Sequence, residues 1–264
     1  MKATILLALL GVLAISANVN GAALDSTPDL NPFDYINYAD ILKAYLKAFQ
    51  RIMPCGYAAW NLPPLAPYTV DNWDYDYSGE GYSLVGSFSN LYVEGLNDWQ
   101  LLDFSYNTTT QEFNYDVLHR KLQILSEYTV NATATIANMP FTYAGEGVLN
   151  WKFTDVRSIG GYTFQTNDIN QNGIEMTNFR NQVILGDVQA NNWNNYWNNE
   201  VNNFVNRWLR KYVLLWTEEA QANMGNIINN YLLPAVNRQL ADLSMDQFLE
   251  ILVGLTMELD QVKC

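Results

Sequence analysis

The sequence predicts an α+β fold in which a long, curved antiparallel sheet wraps around a long helix to make an elongated tube. Three observations lead there. Apolar residues recur at the helical period at both ends of the chain. Between about Gly79 and Val188 the period is two, in segments long enough for strands of ten or more residues. Finally, an Asn-rich stretch near residue 200 hides a row of aromatic side chains that a sheet could cover.

The chain starts with Lys2 and an apolar run from Ile5 to Ile15, too short to span a bilayer. Residues 1–21 are therefore read as a secretory signal peptide, cleaved after Gly21 or Ala17, and residues 22–264 as a single elongated domain. No later segment has about 18 uninterrupted apolar residues, so no stable membrane insertion is expected. An acidic stretch to about Pro32 leads to a helix in which Ile36, Ile41, Leu42, Tyr45, Leu46, Phe49, Ile52 and Met53 form one stripe. Asn37 is its candidate N-cap, and Pro54 with Gly56 stops it. "WNLPPLAPY", residues 60–68, is barred from helix by its prolines and should run extended over other elements.

In the period-two region, "EGYSLVGSFSNLYVEG" alternates through Tyr82, Leu84 and Gly86 and shifts phase near Phe88. The next segment offers Phe113, Tyr115 and Val117, then Leu122, Ile124 and Val130. "DNWDYDYSGE" (Asp71 to Glu80) reads as a solvated acidic loop lacking the oxygen spacing of a calcium site. The glycines of "GEGVLN" and "SIGGYT" read as turn glycines. From Trp193 to Trp216 the non-Asn positions (Trp193, Trp197, Val201, Phe204, Val205, Trp208 among them) step by three and four, which breaks strand parity. One helix of roughly 35 Å fits them, with its Trp face covered by the concave sheet. A second helical run extends from about Glu218 to Leu240 with a kink expected at Pro234, and a short helix covers Met245 to Val253.

The formal net charge of -13 argues against nucleic-acid partners, because the chain repels phosphate backbones. Chemistry has no visible seat. The single histidine, His119, cannot make a metal site alone, and no Gly-x-Ser-x-Gly elbow is present. Neither an enzyme, a cofactor nor a metal is expected. Secretion makes Asn107-Thr108-Thr109 and Asn131-Ala132-Thr133 usable N-glycosylation triplets. Cys55 and Cys264 either pair with each other or leave Cys264, the last residue, to bond a partner chain.

Three stretches resemble the insect juvenile-hormone-binding and takeout-like family of secreted lipid carriers. "NLPPLAPY" (Asn61 to Tyr68) is similar to the family's Pro-Pro-Leu-Asp-Pro stretch, with Ala66 where Asp is common. "LYVEGLNDWQLLDF" (Leu91 to Phe104) resembles its Val-x-Gly-Leu-Ser-x-Phe segment, and "NNEVNNFVNRWLRKYV" its closing helix. The family usually carries a cysteine pair near the first helix, and here only Cys55 stands there. The resemblance implies an extracellular carrier of one apolar molecule, a juvenile hormone, another terpenoid or a fatty acid. Candidate ligand-lining residues are Leu42, Leu46 and Phe49 on the first helix, Tyr82, Leu84, Val117, Leu122 and Phe153 on strands, and Trp197 and Trp208 on the long helix. The alternative is a secreted structural or partner-binding protein of the same fold without a ligand, disulfide-linked through Cys264.

Overall fold

A computed structural model describes residues 38–79, 82–136, 139–166, 173–191, 203, 207, 208, 210, 211, 213 and 228–264. The expected signal peptide, the Asn37 cap, Trp193, Trp197 and most of the 193–216 helix lie outside these residues. Positions 203, 207, 208, 210, 211 and 213 are helical.

The first helix, α1 (Tyr38–Ile52), turns Ala39, Ile41, Leu42, Tyr45, Ala48, Phe49 and Ile52 inward. It stops as expected. The Gly56 N–H donates to the Ile52 carbonyl at 2.8 Å with φ at 68°, a left-handed cap that glycine takes without strain. The proline stretch then folds back on the helix end, where the Met53 carbonyl accepts from Leu65 N at 2.7 Å and Ala66 N at 3.1 Å. Leu65 is buried by this return.

Six antiparallel strands follow: β1 (Tyr68–Gly79), β2 (Tyr82–Glu94), β3 (Trp99–Asn107), β4 (Glu112–Ile136), β5 (Met139–Thr166) and β6 (Ile174–Asn191). The order across the sheet is β1-β2-β4-β5-β6, and β3 pairs with the first part of β4, end to end with β2. At 25 and 28 residues, β4 and β5 span both parts of the sheet. This is the long antiparallel sheet with helices, the α+β class, that the sequence predicts.

Two expectations are corrected here. The acidic stretch from Asp71 is no loop: it is most of β1, an edge strand registered along β2 from Tyr68↔Val93 to Gly79↔Tyr82. Asp74 and Asp76 alternate with Trp73, Tyr75 and Tyr77, and an edge strand tolerates carboxylates on its solvated side. The glycines of "GEGVLN" and "SIGGYT" are not turns but lie inside β5. Several strand glycines sit beneath tyrosine rings: a Cβ on Gly86 would lie 2.5 Å from the Tyr75 hydroxyl, and one on Gly160 2.5 Å from that of Tyr115. The missing side chain makes room for the ring, as in designed sheets where an aromatic covers a strand glycine.

Near the C-terminus, one wide turn (Ile228–Leu232) enters α2 (Leu233–Leu240). Pro234 has no N–H for the preceding turn, which explains the widening where a kink was expected. Then α3 (Met245–Asp260) starts at a capping box between Ser244 and Gln247. It runs seven residues beyond the expected end at Val253, because burying Leu259 outweighs the roughly 1 kcal/mol cost of Gly254 inside a helix. From α2, Asn237 pairs with both backbone groups of Met176 on the β6 edge, at 2.8 and 3.0 Å. Among the described residues, an apolar core joins α1, α2 and α3 to Phe104, Phe113, Tyr162, Phe164 and Met176 of the sheet.

Cys55 and Cys264 form a disulfide, with 5.7 Å between their Cα atoms. Of the two arrangements, the internal bridge is the one present, so no partner chain is linked through Cys264. The bridge ties the end of α1 to the residues after α3. Alongside it, Arg51 donates to the Leu259 carbonyl at 3.0 Å and pairs with Asp260, and Tyr57 donates to Glu258.

Candidate functional site

A crease crosses the sheet and defines the site. On β4 the covered positions are Phe113, Tyr115 and His119, but beyond Arg120 and Lys121, both exposed, they become Ser126 and Tyr128. Odd numbers give way to even ones. The same switch occurs on β5 between Val156 and Phe153, the cross-strand partners of His119 and Leu122. On β6 it falls between Leu185 and Val188, which pair with those two residues. The line runs through Asp155 at φ 52°, and a Cβ on neighbouring Gly186 would approach Asp155 Cβ to 2.9 Å. It continues to Gly95, at φ 88° in the connection between β2 and β3. Backbone irregularity at one level of successive strands bends a sheet and re-aims its side chains.

On the helix side of the crease, the sheet is filled by α1, α2 and α3. On the other side, register builds an aromatic face from rows of cross-strand neighbours. Trp73, Phe88 and Tyr128 make one row; Tyr75, Gly86 and Val130 the next; Tyr77, Leu84 and Ala132 the third. Leu122 with Phe153, and Ile124 with Trp151, continue it to the crease. Ring centroids lie 5.8 Å apart for Trp73–Phe88, 5.1 Å for Tyr75–Phe88 and 6.0 Å for Trp151–Phe153. The Tyr75 ring crosses Gly86 to donate a 3.0 Å hydrogen bond to the Thr129 carbonyl, so one side chain spans three strands. Burial pushes the Tyr128 phenol up to about 12, and nearby Tyr143 and Tyr75 add to the shift. This face is apolar, with phenols and the buried Ser126 hydroxyl, which donates to the Ser89 carbonyl at 2.9 Å, as its polar groups. Its opposite side carries Ser87, Thr129 and Asn131.

The predicted lining residues divide between the two parts. Leu42 and Phe49 are buried in the helix-side core, with Leu46 and Val117 packed against it. Leu122 and Phe153 lie half-buried on the aromatic face, and Tyr82 and Leu84 stand exposed at its far end. Trp208 is 54% exposed, so it is not the covered core residue that the helical stripe suggested. Its neighbour Arg210 pairs with Asp187 of β6 and holds that carboxyl below its ordinary range. Trp73, Tyr75, Phe88, Tyr128 and Trp151 were missed. The signal for the first two was the alternation inside the stretch read as a loop. Asn107 and Asn131 are exposed. No group of three His, Cys, Asp or Glu side chains fit to hold a metal occurs among the described residues.

His119 is buried beside the crease, opposite Trp99 and Val156. Burial pulls its pKa below 6.5, against a smaller opposing pull from Asp98. The unfolded chain therefore takes up a proton that the folded chain resists. Stability is complete above about pH 6.5 and falls as pH drops below it, by up to about 1.4 kcal/mol per unit until the folded site protonates. Urea midpoints at pH 7.5 and 5.5 should differ for the native protein, and the difference should shrink in His119→Gln. An equal pH dependence in both would exclude His119 as its source.

The family model described as haemolymph juvenile hormone binding protein matches residues 7–250. Among solved structures, the chain is similar to Takeout 1 of Epiphyas postvittana, with a TM-score of 0.47 and 13% identity over 79% of this chain and 95% of that one. It is also similar to a lipopolysaccharide binding protein, with a TM-score of 0.35 and 10% identity over 74% of this chain and 39% of that one. No curated protein matches. With a match running over residues 7–250 of 264, the chain belongs to the haemolymph juvenile hormone binding protein family.

Proposed function

We propose that this protein is an extracellular carrier that holds one elongated apolar molecule, a juvenile hormone, a related terpenoid or a fatty acid, and releases it unchanged. The observation that carries the reading is the aromatic face beyond the crease, on a chain of a hormone-binding family. An apolar chain laid on such a face gains about 0.8 kcal/mol per buried methylene. No catalytic step is assigned. The acidic charge suits a freely diffusing protein and disfavours anionic surfaces.

Native mass spectrometry of protein purified without detergent, then offered a terpenoid methyl ester and palmitic acid in turn, tests this. One molecule per chain is expected. Trp151→Asp, which sets a charge on the face near its crease end, should abolish binding while leaving the helix-side core intact. Native protein that takes up neither probe would sink the proposal.

A further inference from the structure

We propose that Asn131 carries an N-linked glycan that covers the outer surface of the sheet beyond the crease. The inference rests on the reading that the chain passes through a secretory compartment, and it concerns the face opposite the ligand.

Asn131 occurs in the last third of β4 with an exposed side chain, and its carboxamide has no hydrogen-bond partner among the described residues. Its cross-strand neighbours are Val85 on β2 and Ala144 on β5. Thr129 and Thr133 flank it along the strand, and Ser87 holds Thr129 through a 2.9 Å hydroxyl contact. The immediate neighbours are small and uncharged, and the carboxylates of the same surface stand one position further out, Asp76 beyond Val85 and Glu146 opposite Thr129. Two apolar side chains stand in the open on this outer surface, Val85 at 39% and Val148 at 42% exposure. An open sheet surface with exposed valines invites association, and a sugar seated beside Val85 covers it. Thr133 supplies the hydroxyl two residues on that the glycosylation triplet requires.

The donor is an oligosaccharyl polyprenyl diphosphate. A bond forms from Asn131 Nδ2 to the anomeric carbon of the first sugar, the bond from that carbon to the diphosphate breaks, and the amide loses one proton. Asn107, the other triplet, differs in setting. It is the last residue of β3, at the entry to the turn, and its side-chain oxygen accepts from Thr109 N at 2.9 Å and Thr110 N at 3.2 Å. Its sugar would project from a turn and cover no sheet surface.

The test is secretion of the full chain from cultured insect cells, followed by gel mobility with and without peptide N-glycosidase. In parallel, residues 22–264 behind an unrelated cleavable leader are translated with microsomes. Asn131→Gln is expected to lose one glycan-sized mobility step in both systems. Once deglycosylated, the native chain and Asn131→Gln should bind more anilinonaphthalene sulfonate than the glycosylated chain, whereas Asn107→Gln should not. Unchanged mobility for Asn131→Gln behind the unrelated leader would overturn the proposal. A glycan there together with failure of the chain's own leader would overturn only the secretory reading.

Discussion

Replacing Cys55 and Cys264 by serine is expected to lower stability by about 5 kcal/mol. The bridge joins positions 209 residues apart, and closing so long a loop removes much of the freedom of the unfolded chain. Little changes in the folded state, because Arg51 and Tyr57 still hold the end of α3 through Leu259, Asp260 and Glu258. The effect therefore acts on the unfolded ensemble. Urea unfolding should show it twice: a lower midpoint, and a steeper slope from a more expanded denatured state. A double serine variant with the native midpoint would show that the bridge does not limit the unfolded chain. A lower midpoint with no change in slope would place the loss in the folded state, at the junction of α1 and α3.

Phe113→Ala should cost about 3–5 kcal/mol, the range for truncating a large aromatic in a core. Its side chain is completely buried. Four rings surround it, with centroids at 4.3 Å (Tyr106), 5.3 Å (Tyr162), 5.6 Å (Phe164) and 6.1 Å (Phe104). Several of these lie on neighbouring strands and cannot all close the gap without moving the sheet. Trp208→Ala is the internal comparison. The helical stripe alone gives it the same cost, but with 54% of its surface exposed the loss should be well under half that of Phe113→Ala. Thermal or chemical denaturation of the two variants side by side decides between stripe and structure. Equal losses would mean that Trp208 packs as a core residue in solution.

The sequence carried the class of fold, and at one point more than the class. The change from Phe113, Tyr115 and Val117 to Leu122, Ile124 and Val130 is the crease written as a change of parity, because side chains on a strand alternate with period two. What hid β1 was composition: four acidic residues between Asp71 and Glu80 lower strand propensity and resemble a solvated loop, although Trp73, Tyr75 and Tyr77 keep the alternation. The strand glycines misled for a related reason. A glycine that admits a tyrosine from a neighbouring strand looks locally like a turn, and its ring partner is distant in sequence, as Tyr115 is from Gly160. The aromatic face was half legible, since Leu122 and Phe153 stand out alone, whereas its rows exist only once register is known. The covered or open state of a helix face, as at Trp208, depends on what packs there and leaves no trace in spacing.

The core that joins α1 to α3 also sets an order of events during synthesis. Arg51 and the Leu259 carbonyl it binds are 208 residues apart, so α1 leaves the ribosome long before its partner exists. At roughly 5–20 residues per second the delay is on the order of 10–40 s. Throughout it Leu42, Tyr45 and Phe49 have nothing of α3 to lie against, and the amphipathic helix meets whatever holdase the compartment offers. Among the described helices, the first one made completes its burial only when the last has been made.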